Sequence, residues 1–502
     1  MAERTTLAHL LADANSSAPA IIASASRAVF TYRNLAERVE GLAEELRGAS
    51  LAPGDCVAMV LPNGLEYLLL FLAVTRARLI AAPLNPAYKT EELLFFLEDA
   101  LARVVIADPA NAAVRDAAAK LGLPVWPAAA GADGATEVVP LNKHKRAGAD
   151  APRPDDVALF LHTSGTTSRP KGVPLTHSNV LYSSINIARH YGLAPDDRSL
   201  LVMPLFHVHG LIGAALSTLA SGGAVIVPPR FSASEFWQAA REHCANWYSA
   251  VPTIHQVLLA RADSDGAPRG GMRFIRSCSA ALAPAVLAKL EERFGAPVLE
   301  AYGMTEATHQ VASNPLPPRP HKPGSVGPGT AEVAILDEAG RHLAVNMAGE
   351  VAVRGPNVMR GYRNNPEANA VAFVDGWFRT GDRGVLDDDG YLTLIGRIKE
   401  LINRGGEKIS PAEVDAVLLE HPAVAEAAAF GVPNAKYGEE VWAAVVLRND
   451  VGSSELVAHC SRHLSDFKVP KEIHILAALP KGATGKIQRR DLTAMFNPAA
   501  KH

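Results

Sequence analysis

The run Leu161-His162-Thr163-Ser164-Gly165-Thr166-Thr167-Ser168-Arg169-Pro170-Lys171-Gly172 gathers hydroxyls, a glycine and a lysine into one short segment. A Gly/Ser/Thr loop leaving a strand offers backbone N–H groups and hydroxyls to an anion, and Lys171 adds positive charge. That chemistry suits the phosphates of a nucleotide. It is not the common P-loop, which needs Gly-x-x-x-x-Gly-Lys-Ser/Thr. Here no second glycine precedes Lys171 and no hydroxyl follows Gly172. Standing alone, such a loop would be an ordinary hydrophilic surface turn.

Five further segments carry groups able to bind or move charge. They are Leu205-Phe206-His207-Val208-His209-Gly210, Ala301-Tyr302-Gly303-Met304-Thr305-Glu306, Trp377-Phe378-Arg379-Thr380-Gly381-Asp382, Gly396-Arg397-Ile398-Lys399-Glu400 and Pro480-Lys481-Gly482-Ala483-Thr484-Gly485-Lys486-Ile487. Taken singly, each has a plain structural explanation. Glu306 could cap a helix, Asp382 could form an Asx turn, and His207 could be a satisfied core histidine. Lys486 could belong to the solvated face of a basic run over 481–490.

The elements that must position these residues follow from periodicity. An apolar strand over 157–161 precedes the loop, and a helix opens near Thr176. Residues 224–227, 247–251, 274–277 and 298–302 read as strands, separated by helical stretches over 234–244 and 284–294. The latter puts Val286, Leu287, Leu290 and Phe294 on one face. This alternation predicts an α/β fold, a large N-terminal domain of mainly parallel sheets covered by helices. Segments 128–154 and 315–329, rich in Pro, Gly and Ala, read as long surface connections. A strand over 391–395, a polar glycine turn over 403–408 and the capping box Ser410-Pro411-Ala412-Glu413 mark a boundary near residue 396. The expected domains are 1–396 and a small α+β C-terminal lid, 397–502, with a ligand cleft between them.

At 502 residues the chain is too long for a single core. A net charge of −3, from 49 basic and 52 acidic residues, gives no footprint for nucleic acid. Cys56, Cys244, Cys278 and Cys460 are scattered without metal or disulfide spacing, as in a reducing compartment. The N-terminus has no signal-peptide order, and the greasiest stretch, 67–74, is far short of the ~20 residues a membrane span needs. It reads as a core helix. The tail Ala499-Ala500-Lys501-His502 is not a peroxisomal address. The chain is expected to be cytoplasmic, with no membrane partner.

In order and spacing the six segments resemble the adenylate-forming superfamily, which holds acyl-CoA synthetases, peptide-synthetase adenylation domains and beetle luciferases. The likeness runs from Phe30-Thr31-Tyr32 to Lys486. Within it the chain resembles the oxalate-CoA ligase subfamily, on Ala250-Val251-Pro252-Thr253-Ile254-His255-Gln256, Phe274-Ile275-Arg276-Ser277-Cys278-Ser279-Ala280, Met304-Thr305-Glu306-Ala307-Thr308-His309 and residues 398–410. The resemblance implies an acid:CoA ligase using ATP, Mg²⁺ and CoA. A carboxylate attacks the α-phosphate to give an acyl-adenylate and diphosphate; the thiol of CoA then displaces AMP. No carrier domain is expected as partner.

The same resemblance assigns residues. Thr163, Ser164, Gly165, Thr166, Thr167 and Lys171 would hold the β- and γ-phosphates, Glu306 would act with Mg²⁺, and Thr305 would touch the α-phosphate. Asp382 would bind the ribose hydroxyls, with Arg397 beside it, and Ser279, Ala301 and Tyr302 would line the nucleotide. Lys486 would bridge carboxylate and α-phosphate. His207 would be a gate for CoA, Lys399 the hinge, and Gly405 and Gly406 the point of close CoA approach. Lys408 stands near a family glutamine. Arg230, after Pro228-Pro229, would meet CoA phosphates or be a solvated surface arginine. Two positions depart from the family pattern. Ser168 replaces a glycine, and Asn403 replaces the lysine of coumarate ligases.

For the acid, His209 stands where 4-coumarate ligases carry an aromatic residue, Ser279 replaces an alanine, and Thr308-His309 replace Gly-Pro. These changes shrink the pocket and add donors. A short dicarboxylate keeps a second charge that a dry site must pair, and histidine can supply it near neutral pH. Ala301 stands where malonate ligases use arginine, which argues against malonate. The expected substrate is oxalate; the alternative is a 4-coumarate-like or other small acid, with His209 and His309 only packing or orienting neighbours.

Overall fold

A computed structural model of the chain describes residues 5–12, 15–49, 51–130, 136–138, 150–163, 170–482 and 484–496. Two large sheets form its centre. The first has seven strands, running from Thr136–Val138 through Val125–Ala130, Ala102–Ala107, Cys56–Val60, Ile80–Pro83 and Val157–His162 to Gly172–Thr176. Its inner pairs are parallel and its two edge pairs antiparallel. Cys56–Val60 is buried along its whole length, as expected of a strand covered on both faces. One cover is the helix Leu65–Arg76, with Tyr67, Leu68, Leu70 and Phe71 in the core. At roughly 1.5–3 kcal/mol per buried large side chain, that helix is held by packing rather than by propensity.

The second sheet has eight strands, in the order His309–Ser313, Val298–Met304, Phe274–Ser277, Trp247–Ala250, Arg198–Leu200, Ala224–Val227, Pro19–Ala23 and Ala28–Thr31. The helix Pro284–Phe294 buries Val286, Leu287, Leu290 and Phe294 against it, as its periodicity predicts. Proline opens this helix, and Gly295 ends it at φ 63°, a left-handed turn that glycine enters without a Cβ penalty.

Three features depart from the sequence reading. The helix His177–His190 opens at the expected place, with Thr176 as its N-cap, but an unexpected strand, Gly172–Thr176, precedes it and pairs antiparallel with Val157–His162. A third sheet, five-stranded and antiparallel, is built from Glu332–Leu336, Gly349–Arg354, Trp377–Leu386, Phe373–Val374 and Leu392–Arg397. Its Ile335, Val351, Val353 and Phe378 join the main core. Within the expected connection 128–154, Thr136–Val138 forms an edge strand.

From Ile402 onward a fourth sheet has its own core of Ile402, Ile409, Val414, Leu418, Val424, Val441, Val445 and Leu456. Pro411 opens the helix Pro411–Glu420 as expected, but Ser410 makes no side-chain cap there. Its hydroxyl donates to the carbonyl of Ile395, a contact that turns the oxygen away from the helix N–H groups. All four cysteines are unpaired; Cys56, Cys278 and Cys460 are buried and Cys244 is exposed. Among the described residues no helix is long and apolar enough to cross a membrane.

Candidate active site

The mouth of the Ser/Thr-rich loop is pinned by two hydrogen bonds. Thr163 N–H donates to the Lys171 carbonyl at 3.0 Å, and Lys171 N–H donates to Thr163 Oγ1 at 3.3 Å. Ser164, Gly165, Thr166 and Thr167 lie outside the described residues. Lys171 Nζ stands 4.1 Å over the ring of Tyr362, whose hydroxyl donates to Glu306 Oε1 at 2.9 Å. Burial, and then Lys399, push the Lys171 ammonium pKa down, against the pull of Glu306. Cation, phenol and carboxylate therefore form one cluster at the loop.

Glu306 reaches that cluster through a tight reversal. The strand Val298–Met304 ends in a single 3₁₀ turn, Thr305–Ala307, and the chain returns as His309–Ser313. Gly303 is required here, since a Cβ would collide with the His309 carbonyl. Thr308 and His309 take positive φ, 51° and 88°, a strained setting for residues with side chains. Ala301 and Tyr302 are buried on the strand, and the Tyr302 hydroxyl donates to Asp382 Oδ2. Arg397, directly across the third sheet's ladder from Asp382, holds its Oδ1 at 3.1 Å. Burial raises the Asp382 pKa although Arg397, Tyr302 and Lys486 all oppose it.

Lys486 arrives from the C-terminal part on a small loop. Gly482 N–H donates to its carbonyl at 2.8 Å, and Thr253 Oγ1 donates to the carbonyl of Gly485 at 3.2 Å. Lys486 is open to solvent, yet it stands in a cleft crowded enough that desolvation lowers its ammonium pKa, with Arg397 adding to the effect and Glu400 and Asp382 opposing it. His207 lies within its field. Burial, and then Lys486, push the imidazole down to about 4, so the ring is neutral at physiological pH. The segment before it is tied to the first sheet's helix by Tyr67, whose hydroxyl donates to the Leu205 carbonyl at 2.9 Å.

His209 and His309 do meet. Their rings stack with centroids 5.2 Å apart, and both are fully enclosed. His209 contacts Ser279 Oγ through Nδ1 at 3.0 Å and Ser249 Oγ through Nε2 at 2.7 Å. Ser279, at φ 72°, thus stands against the histidine pair. The sequence-based expectation that these histidines supply charge needs correction. Burial, and then the guanidinium of Arg276, hold both imidazoles well below their ordinary pKa.

Arg230, Gly405, Gly406 and Lys408 stand apart from this cluster. Arg230 is exposed after the strand Ala224–Val227. Gly405 and Gly406, at φ 61° and 95°, make the tip of an exposed hairpin in the fourth sheet, with Lys408 on its second strand. Lys399 is the middle residue of the short turn Ile398–Glu400 that leads into that sheet, and its charge is felt at Lys171.

The AMP-binding enzyme family model matches residues 11–363, and the AMP-binding enzyme C-terminal domain model matches 413–486. The chain belongs to the AMP-binding enzymes. It is 52% identical to an oxalate--CoA ligase of Arabidopsis thaliana, over 93% of each chain. It is 45% identical to an oxalate--CoA ligase of Saccharomyces cerevisiae, over 89% of this chain and 88% of that one. ATP-bound MatB from Rhodopseudomonas palustris superposes with a TM-score of 0.89 at 32% identity, covering 99% of this chain and 100% of that one. Apo MatB from the same organism superposes less well, at 0.79.

Four residues of this AMP-binding enzyme's site escaped the sequence reading. Tyr362 is 56 residues from the Glu306 it orients, and Thr253 is 232 residues from Gly485. Gly213 lies in the π-helical segment Leu211–Leu216, where a Cβ would press on His309 Nε2. Such segments often mark functional sites, but no local residue pattern announces them. Arg276 is buried in the middle of the second sheet, where its Phe-Ile-Arg-Ser setting carries no sign of a site.

Proposed function

We propose that the chain is an ATP-dependent acid:CoA ligase that converts oxalate to oxalyl-CoA, releasing AMP and diphosphate. The observation that carries this reading is the likeness to oxalate--CoA ligases of a plant and a yeast over about nine-tenths of the chain. The pocket agrees, since buried imidazoles and hydroxyls occupy positions where an aromatic acid would need apolar walls.

Thr163 and Lys171, with Ser164, Gly165, Thr166 and Thr167, bind the terminal phosphates of ATP. Glu306 is a half-buried carboxylate beside that loop, a fitting oxygen donor for Mg²⁺, and the ion would neutralise phosphate charge there. Thr305 meets the α-phosphate. Ser279, Ala301 and Tyr302 flank the nucleoside, and Asp382 accepts the ribose hydroxyls while Arg397 holds its other oxygen. Lys486 sets a cation between the acid's carboxylate and the α-phosphate, where charge crowds during attack. Its nearness to Asp382 and His207 supports assigning it to the adenylating step.

For thioester formation the unit 397–502 turns about Lys399, withdraws Lys486 and presents Gly405, Gly406 and Lys408 to CoA, with Arg230 meeting its phosphates. His207 swings aside to admit the thiol. Being neutral, it breaks no ion pair when it moves. Mixing the protein with ATP, Mg²⁺, CoA and a panel of acids, and following diphosphate release, tests the reading. Oxalate should give the highest kcat/KM; a higher value for a coumarate-like acid would sink it.

A further inference from the structure

Arg276 lies on the strand Phe274–Ser277 in the middle of the second sheet and is completely buried. A guanidinium always carries its charge, and removing it from water is costly unless an anion answers it. It donates to Tyr191 Oη at 2.9 Å, Ser249 Oγ at 2.9 Å and Gln310 Oε1 at 3.0 Å, and Cys278 also lies within hydrogen-bonding reach. Among the described residues no carboxylate makes an ion pair with it, and Tyr191 and Cys278 are the groups that most favour its charged form. The protein thus encloses a cation with its geometry satisfied and, among the described residues, no carboxylate to answer its charge.

The direction in which that charge is felt is equally specific. Arg276 Nη1 and His209 Nε2 share Ser249 Oγ, at 2.9 and 2.7 Å. Because the guanidinium can only donate, Ser249 accepts from it and can pass its own proton toward Nε2, leaving Nδ1–H of His209 for Ser279. On the other side, Gly213 separates Arg276 from His309. A Cβ there would be 3.3 Å from Nη1 and in collision with His309 Nε2. That Nε2 is buried and has no protein partner. An unpartnered polar atom in a dry site calls for a ligand group.

We propose that Arg276 is the residue that selects acids bearing a second negative charge, acting through Ser249, His209 and His309 on the distal carboxylate. This rests on the reading of the chain as an oxalate ligase, and it replaces the histidines as the source of charge. The imidazoles serve as neutral, aligned hydrogen-bonding groups, and the fixed cation behind them answers the anion. A monocarboxylate of the same shape leaves Arg276 unanswered and is rejected on that account.

Oxamate tests this, because it matches oxalate in shape but ends in a neutral amide. In Arg276→Gln, acid-dependent diphosphate release should show the oxalate KM rising at least tenfold, the oxalate-over-oxamate ratio of kcat/KM shrinking by a similar factor, and the ATP KM staying within about twofold. Arg276→Lys should retain most of the preference. A folded Arg276→Gln with the wild-type ratio overturns the proposal. If that variant does not fold, the wild-type enzyme decides through pH. The titratable groups facing Arg276 are Tyr191, Cys278, His190, His209, His255 and His309. A cation that does not titrate predicts an oxalate KM, normalised to that of oxamate, that is flat from pH 6 to 8.5. A tenfold rise above pH 6.5 would return the charge to the histidines and overturn the assignment. A wild-type protein that adenylates other acids but not oxalate would instead defeat the functional reading, leaving the preference for dianions over their amides to be scored on those acids.

Discussion

Thr253 Oγ1 donates a hydrogen bond to the carbonyl of Gly485, the residue before Lys486, at 3.2 Å. It joins the start of the helix Pro252–Ala260 to the C-terminal loop and seats the lysine beside Asp382. Gly485 has φ 81°, and a Cβ on it would come within 3.2 Å of Thr253 Oγ1 and 3.3 Å of Val251. Any larger residue would strain the backbone at this φ and push those two side chains aside by a few tenths of an ångström.

Lys486→Ala should therefore cut oxalate-dependent diphosphate release at least ~100-fold, the scale of losing one charge-stabilising group. Given synthetic oxalyl-adenylate, the same variant should still form thioester. Lys399→Pro should do the reverse, releasing diphosphate once per site and then stalling, because proline fixes φ. Equal slowing of both half-reactions by Lys486→Ala, with circular dichroism unchanged, would refute the two-orientation scheme.

Gly213→Ala places a methyl against His309 Nε2, and His309→Ala removes the ring altogether. Both should raise the oxalate KM, His309→Ala by roughly ten- to a hundredfold, as for a hydrogen bond to a charged group. The ATP KM should change little. Steady-state kinetics in both substrates decides it; an oxalate KM near wild type in both variants would remove His309 from the pocket.

Tyr362→Phe deletes the hydroxyl that donates to Glu306 and leaves the ring beneath Lys171. One hydrogen bond is worth about 1 kcal/mol, so the Mg²⁺ concentration for half-maximal activity should rise about fivefold. An identical Mg²⁺ dependence would mean that Glu306 needs no orientation by Tyr362.

Buried Glu300 has its pKa raised from 4.5 to about 8, chiefly by burial, while the Gly324 N–H, 2.9 Å from Oε2, pulls it down. The folded state thus holds a proton that the unfolded state has lost between those values, and stability falls as pH rises from 4.5 to 8. His177, His207 and His255, lowered from 6.5 to about 4, act on the other side and cost stability as pH falls below 6.5. Glu300→Gln should flatten the alkaline decline, gaining roughly 3–5 kcal/mol relative to wild type at pH 8 and little at pH 4.5. Urea midpoints across that range test it; parallel curves would mean that Glu300 ionises freely in the folded chain.

The sequence made local features legible. Val286, Leu287, Leu290 and Phe294 announced their helix, and Thr176 its start, because helix faces and caps are set within a few residues. Features that depend on distant partners stayed hidden. Ser410 has the pattern of a cap, yet the Ile395 carbonyl, fifteen residues earlier, takes its proton. An arginine in Phe-Ile-Arg-Ser reads as the wet side of a strand; here both faces are covered, and Arg276 is left inside. The antiparallel third sheet is assembled from strands interrupted by glycine and charge, such as Trp377–Leu386, whose alternation is too broken to declare a partner.

Cys244, the one exposed thiol of the four, sits at φ 56° between the helix Ala233–Glu242 and the strand Trp247–Ala250. The native chain therefore offers a single surface address for a maleimide dye, with no cysteine to remove first. A second dye at Lys408→Cys, on the exposed C-terminal hairpin, would turn rotation of the small unit into a change in energy-transfer efficiency, read molecule by molecule during turnover.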